Sequence, residues 1–94
     1  MSAPTLEWRA TARADLLSLL DYISDDNPDA AEKLKNDIDT KIAKLIEWPK
    51  LYEAGRIAGT REMSIRRNYI VVYAEDDRTV TILRILHSAQ LWPR

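Results

Sequence analysis

The spacing of apolar residues changes once along the sequence, close to its midpoint. From about residue 10 to about residue 48, apolar residues recur at spacings of three and four, which is the period of an amphipathic α-helix. From about residue 61 they alternate with polar residues or form short β-branched runs, which is typical of strands. Helices followed by a run of strands indicate an α+β fold, with the helices covering one face of a mainly antiparallel sheet.

Two helices are predicted in the first half of the chain. The first begins near Ala10, and the second carries an uninterrupted apolar stripe: Ala31, Leu34, Ile38, Ile42 and Leu45. The link SDDNPDA separates them, because Asn27 is a favourable N-cap and Pro28 suits the first helical position. Pro49 ends the second helix, since the residue before a proline avoids helical geometry. The short link therefore predicts an αα-hairpin.

Four strands complete a β-α-α-β-β-β order. TLEW (Thr5–Trp8) precedes the first helix, and the segments TREMSIR, YIVVYAE and TVTILRILH follow the second. Residues 50–59 contain both glycines and are expected to form a loop. Two short turns join the last three strands into an antiparallel meander, and Asn68 is expected to supply the positive φ of the first turn.

The composition excludes several classes of protein. The chain has no cysteine, no run of the ~20 apolar residues that a membrane helix needs, and no basic or apolar start typical of a signal peptide. It has one histidine and no carboxylate pair with ligand spacing, and EAGRIAG does not match a nucleotide-binding loop. We therefore expect one cytoplasmic domain, residues 1–94, with no metal, no small-molecule cofactor and no membrane partner.

Positive charge is concentrated in the second part of the chain and consists there of arginine alone. Residues 1–55 hold seven basic and eleven acidic side chains, whereas residues 56–94 hold seven arginines and four acidic side chains. Arginine binds phosphate and carboxylate through a planar fork, so the distribution indicates an anionic partner. Arginines interleaved with tyrosines can hold single-stranded nucleic acid, although the exposed face of an ordinary sheet has the same composition. The candidates are Arg56, Arg61, Arg66, Arg67, Arg84 and His87, with Tyr69 and Tyr73.

The last strand contains two polar residues that need an explanation. Strict alternation places Arg84 on the same face as Ile82, and Ile85 with His87 on the other face. A buried guanidinium must pair with a carboxylate, such as Glu62 or an acid on a helix, reach the rim, or bind a ligand. The histidine is either a general acid–base group or a polar cap at the strand end.

The three tryptophans are each assigned a position by their place in the pattern. Trp8 and Trp48 flank the two predicted helices, so we expect them to close the two ends of the core. Trp92 follows the last strand and either folds back onto the domain or contacts a partner.

The sequence resembles the RelE/ParE superfamily of bacterial toxins. The resemblance is carried by ARADLLSLLDYI, DDNPDAA, GTREM, YIVVY and ILRILH, in that order, and extends from Leu6 to Trp92. It implies the RelE/ParE-like fold, a role as the toxin of a type II toxin–antitoxin module, and a cognate antitoxin that wraps the groove and sheet of the toxin. The residues expected to contact a partner are Arg56, Arg66, Arg67, Tyr69 and Trp92.

The resemblance implies one of two activities. RelE-like members cut mRNA on the ribosome, which would make Arg61, Arg84 and His87 the candidate catalytic residues. ParE-like members poison DNA gyrase and have no established catalytic residues. The ILRILH ending, the absence of basic residues from YIVVYAE and the net charge of −1 favour gyrase as the target. The alternatives are the ribosome-dependent endonuclease and a detoxified domain that binds only its antitoxin.

Overall fold

The computed structural model describes residues 4–89 and has the predicted order of elements. The elements are β1 (Thr5–Trp8), α1 (Ala10–Asp26), α2 (Pro28–Glu47), β2 (Arg61–Ile65), β3 (Tyr69–Glu75) and β4 (Thr79–His87). They form one four-stranded sheet in the order β1-β4-β3-β2, in which β1 runs parallel to β4 and the other pairs are antiparallel. The α+β prediction is therefore confirmed, whereas Trp92 lies outside the described residues.

The helical hairpin is joined by a single residue. Asn27 ends α1 by donating its backbone N–H to the carbonyl of Ile23 at 2.9 Å. Its side-chain Oδ1 accepts from the backbone N–H of Ala30 at 3.1 Å, which makes it the N-cap of α2 as predicted. Within residues 4–89, neither helix is long and apolar enough to cross a membrane.

The core lies between α2 and the sheet. All five stripe residues of α2 are buried, whereas Ala12 is the one fully buried residue of α1, and its leucines are only partly covered. Trp8 packs against this core, but the expectation for Trp48 is wrong, because 63% of its surface is exposed. Trp48 is the C-cap of α2, so its backbone has already left the helical stripe that points to the core.

A β-bulge in β4 changes which residues face the core. Val72 of β3 pairs with Arg84, while the next residue, Tyr73, pairs with Ile82, so that Leu83 is an extra residue in β4. A bulge shifts the alternation of the following residues by one position. Ile85 therefore joins Ile82 in the core, and the strict alternation predicted for this strand is wrong beyond Ile82.

In the turn between β2 and β3, the residues with left-handed backbone are not the one that was predicted. Arg66 and Arg67 have φ of 53° and 70°, whereas Asn68 has no positive φ. The carbonyl of Asn68 accepts the backbone N–H of Ser88 at 2.7 Å, so this residue already continues the sheet. The reversal of the chain therefore takes place at the two arginines, which rarely adopt this conformation.

Candidate functional site

Beyond Ile82, helix α1 takes the place of a neighbouring strand beside β4. The parallel pairing with β1 ends at Ile82, which leaves the following backbone groups of β4 without a strand on that side. The hydroxyl of Thr11 donates to the carbonyl of Leu83 at 3.0 Å, and the Asp15 carboxylate accepts the N–H of Ile85 at 2.9 Å. Side chains of α1 thereby satisfy an edge that would otherwise lack partners.

Arg84 is paired with the same carboxylate on α1. Its Nε lies 2.7 Å from Oδ2 of Asp15 and its Nη2 lies 3.1 Å from Oδ1, which is a two-point contact. The hydrogen bond to Asp15 raises the pKa of the Arg84 guanidinium above its usual value. The acidic partner on a helix was one of the alternatives left open by the sequence, and the pair fastens α1 to β4.

His87 lies at the end of β4 beside a groove. Its ring makes an edge-to-face contact with Tyr69, with ring centres 5.6 Å apart and planes at 89°. Its Nδ1 accepts the backbone N–H of Ala89 at 3.0 Å, so that a neutral ring carries its proton on Nε2. The groove has a volume of about 330 Å³ and is also lined by Asp15, Ser18 and Tyr22.

The β2–β3 turn presents two arginines at the same end of the sheet as His87. Tyr69, which follows the turn, pairs with His87 across the sheet. The Arg66 guanidinium lies 2.6 Å from Asp37 of α2, and both side chains are nearly half exposed. Arg67 is exposed, and none of the ion pairs within residues 4–89 involves it. We call Arg66, Arg67, Tyr69 and His87 the arginine-turn end.

Arg61 organises the loop between α2 and β2. Its Nη1 donates to the carbonyl of Tyr52, and its Nε lies 3.4 Å from the carboxylate of Glu75. These contacts hold the loop against the beginning of β2 and the end of β3.

Arg56 is held in the same loop by Glu62. One carboxylate oxygen of Glu62 accepts the Arg56 backbone N–H at 2.9 Å, and the other lies 3.5 Å from its Nε. A side chain at position 55 would displace its neighbours, because a Cβ there would lie 2.6 Å from Thr60 Oγ1 and 3.1 Å from the Glu62 side chain.

The three candidate catalytic residues do not converge on one point. Arg61 lies in the row of the sheet that contains Tyr73, whereas His87 lies in the row that contains Tyr69. Four residues of strand separate these rows by ~13 Å. Asp15, the partner of Arg84, lines the His87 groove, so Arg84 and His87 belong to the same part of the molecule and Arg61 does not.

Sequence reasoning did not identify Asp15, Ser18 and Tyr22 as residues of this groove. Their spacing of three and four places them on one face of α1, which is the signal that would have grouped them. Within the described part of the chain, no group of three His, Asp or Glu side chains is arranged to hold a metal ion.

The fold and its solved relatives define the class of protein. A chain of the chromosomal ParDE toxin–antitoxin system from P. aeruginosa superposes with a TM-score of 0.79 at 22% identity, covering 90% of this chain and 96% of that one. A chain of the RelBE2 toxin–antitoxin complex from Mycobacterium tuberculosis superposes with a TM-score of 0.64 at 25% identity, covering 92% of this chain and 99% of that one. A chain of the E. coli DinJ-YafQ toxin-antitoxin complex superposes with a TM-score of 0.69 at 16% identity, covering 97% of this chain and 99% of that one. The protein has the RelE/ParE-like fold.

Sequence comparisons identify the family. Residues 6–92 match the family described as the ParE toxin of the type II toxin-antitoxin system parDE. Y4kP of Sinorhizobium fredii, a candidate toxin, is 33% identical over 94 residues, which is 100% of this chain and 98% of that protein. Toxin RelE2 of Caulobacter vibrioides is 36% identical over 86 residues, 89% of this chain and 94% of that protein. The chain belongs to the ParE toxin family and is a toxin of a type II toxin–antitoxin module.

Proposed function

We propose that the protein arrests growth by binding and poisoning DNA gyrase, without a catalytic step of its own. The observation that carries the proposal is the way its cationic side chains are held. Arg84 makes a two-point contact with Asp15, and Arg61 contacts Glu75 and the carbonyl of Tyr52. The match of residues 6–92 to the ParE toxin family supports the same target.

A nuclease needs a different arrangement of these groups. Cleavage of RNA by its own 2′-hydroxyl requires a base, an acid and a cation around one phosphate, all within hydrogen-bond reach. Arg61 and His87 are four residues of strand apart, about 13 Å along the sheet, and the Arg61 guanidinium is held by Glu75 and the Tyr52 carbonyl, which disfavours contact of both side chains with the same phosphate. Binding to a protein target needs no such convergence.

The arginine-turn end is the surface that we assign to partner binding. It combines the exposed guanidinium of Arg67 with the aromatic ring of Tyr69, and arginine and tyrosine are enriched where protein interfaces are strongest. Arg56 and Trp92 complete the set of proposed partner contacts. A cognate antitoxin would cover part of this surface and thereby neutralise the toxin in the cytoplasm, where both proposed targets are found.

Gyrase should be tested with purified components. We expect the toxin to inhibit supercoiling of relaxed plasmid by gyrase and to trap cleaved DNA on the enzyme. Arg67→Ala should weaken this inhibition, whereas Arg78→Ala, an exposed arginine in the β3–β4 turn, should not. Undisturbed gyrase at toxin concentrations that arrest growing cells would contradict the proposal. A protein that causes no arrest on expression would be the detoxified antitoxin-binding domain.

Ribosome-dependent mRNA cleavage is the second candidate, because one relative, 36% identical, is named RelE2 and because His87 lines a groove. Translation of a preformed mRNA in a purified cell-free system, followed by primer extension, separates the two activities, since no DNA is copied there. If the nuclease hypothesis holds, discrete cuts appear and His87→Ala reduces cleavage by ~10²–10⁴-fold. Intact message and undisturbed synthesis would leave gyrase as the target.

A further inference from the structure

A second groove lies where α2 ends and the β3–β4 turn approaches it. It has a volume of about 500 Å³, and its apolar lining includes Pro4, Ile46, Trp48 and Leu51. Trp48 and Leu51 are 63% and 57% exposed, so two large apolar side chains face solvent side by side. We call this the Trp48 groove. Exposed apolar clusters of this kind mark sites of interaction.

The backbone beneath these side chains is fixed. The N–H of Leu51 donates to the carbonyl of Trp48 at 3.1 Å, which closes a turn after the helix. The hydroxyl of the buried Tyr73 donates to the carbonyl of Pro49 at 3.1 Å, and Arg61 binds the carbonyl of Tyr52. The two apolar side chains are therefore exposed on an anchored segment, which lowers the entropy that a partner must remove on binding.

The rim of the groove is acidic. Among residues 4–89, four carboxylates and a single cation, Lys50, line it. The carboxylates are Glu47, Glu75, Asp76 and Asp77. Backbone N–H groups of Arg78 and Thr79 lower the pKa of Asp76, which keeps that carboxylate ionised. Glu75 contacts Arg61, whereas no ion pair within residues 4–89 involves Glu47 or Asp77.

We propose that the Trp48 groove binds a basic segment of a partner protein, with one large apolar side chain of that segment inserted between Trp48 and Leu51. The acidic rim would repel nucleic acid or an acidic peptide and would attract lysine and arginine on both sides of the apolar anchor. The apolar floor supplies affinity, and the carboxylates supply selectivity for charge.

This surface is distinct from the arginine-turn end. Glu75 and Tyr69 lie at opposite ends of β3, and six residues of strand separate them by ~20 Å. The arginine-turn end thus presents two adjacent arginines, whereas the Trp48 groove presents carboxylates around exposed apolar side chains, with Arg78 exposed in the adjoining turn. The two surfaces therefore do not overlap.

The proposal can be tested by NMR titration of the full chain with short synthetic peptides. The probe has one central leucine flanked by lysine and arginine, and its two controls replace the leucine with glycine or the basic residues with glutamate. We expect signals of Trp48 and Leu51 to shift with the probe alone and to give a Kd below about 1 mM. Equal shifts with the acidic control, or none with the probe, would overturn the proposal.

Variants connect binding to the groove. Trp48→Ala and Asp77→Lys should each weaken binding of the probe by ~10-fold, since one removes apolar contact area and the other reverses a rim charge. The matched controls are Leu17→Ala, an equally exposed apolar residue of α1, and Asp25→Lys, an exposed acid of α1. Because Asp77 lies in an exposed turn, its variant remains informative if Trp48→Ala fails to fold.

Sedimentation of the protein alone tests a different occupant. If the chain self-associates and Trp48→Ala abolishes the association, the groove holds a second copy and the proposal is wrong. Inhibition of gyrase or cleavage of mRNA is measured separately, so failure of the proposed activity leaves the outcome of the peptide titration unaffected.

Discussion

At the residue scale, the Asp15 carboxylate connects two elements by three hydrogen bonds. Two come from the Arg84 guanidinium and the third from the backbone N–H of Ile85. The side chain of Asp15 is 18% exposed and that of Arg84 is 35% exposed, so solvent screens the pair only in part. The arginine in the apolar middle of β4 is therefore explained by a structural contact, whatever further role it has.

Removing this carboxylate should destabilise the protein. Asp15→Ala leaves the Arg84 guanidinium and the Ile85 N–H without their acceptor, which should lower the free energy of unfolding by ~1–3 kcal/mol in urea titrations. Asp39→Ala removes the ion pair with Lys35, in which both side chains are about half exposed. This variant should change the free energy of unfolding by less than ~0.5 kcal/mol. Equal effects of the two variants would show that the Asp15 pair contributes no more than a surface pair.

The Asp76 turn should make stability depend on pH. Oδ1 of Asp76 accepts hydrogen bonds from the backbone N–H groups of Arg78 and Thr79, both at 2.7 Å, and these contacts lower its pKa. A lowered folded-state pKa contributes stability that is present above the unfolded value of ~3.9 and is lost as the pH falls through the folded value.

The measurement is the melting temperature of Asp76→Asn against pH. The amide keeps an acceptor oxygen but has no charge, so it should be less stable than the native chain at pH 7, and the difference should shrink as the pH falls below ~4. Asp77→Asn should show little difference at either pH, since no hydrogen bond within residues 4–89 involves the Asp77 side chain. A gap for Asp76→Asn that stays constant with pH would contradict the argument.

At the element scale, local signals in the sequence predicted the helices and strands well. Asn27 and Pro28 defined the start of α2, and the change of period separated helices from strands. The bulge at Leu83 was not predictable from local signals, because it lies in the pairing of β4 with β3, which is a tertiary contact. The same limit applied to Trp48, since its exposure follows from where the helix ends against the loop.

The cap between the helices should be a measurable part of their stability. Asn27→Ala removes the acceptor for the Ala30 N–H and should lower the free energy of unfolding by ~1 kcal/mol, whereas Asn27→Asp should retain it. Asn36→Ala is the matched control in the exposed interior of α2, where alanine is the better helix former and should stabilise by up to ~0.5 kcal/mol. A loss of equal size for both asparagines would argue against capping.

The β2–β3 turn should be more stable with glycine than with its native arginine. Arg67 has φ of 70°, a left-handed conformation that strains an arginine but not a glycine. Arg67→Gly should therefore raise the free energy of unfolding by ~0.5–1 kcal/mol, after subtraction of the greater conformational freedom of glycine in the unfolded chain. Arg78 is a turn residue without positive φ, so Arg78→Gly should not stabilise the protein. Weaker inhibition of the target by a more stable Arg67→Gly protein would separate binding from folding. A destabilised Arg67→Gly would contradict the assignment of strain.

At the scale of the whole molecule, the two parts of the sequence do not correspond to its two ends. Strands β3 and β4 each run along the sheet, so the second part supplies Arg67 at one end and Asp77 at the other. The excess of arginine predicted an anionic partner, but only the fold shows which arginines are paired internally. The sequence therefore predicted the residues of the arginine-turn end only as part of a longer list of candidates, and it did not predict the Trp48 groove.

Binding of a cognate antitoxin should raise the thermal stability of the whole chain. A ligand that binds only the folded state at 1,000 times its Kd adds ~4 kcal/mol, and each kcal/mol raises the melting temperature of a domain this size by ~4–8 °C. The complex should therefore melt more than ~15 °C above the free toxin. Arg67→Glu should reduce that increase if the antitoxin covers the arginine-turn end, while Arg78→Glu at the opposite end should preserve it. If both variants keep the full increase, the antitoxin binds elsewhere on the toxin. If the two variants reduce the increase in melting temperature equally, the antitoxin responds to the overall charge of the toxin rather than to this surface.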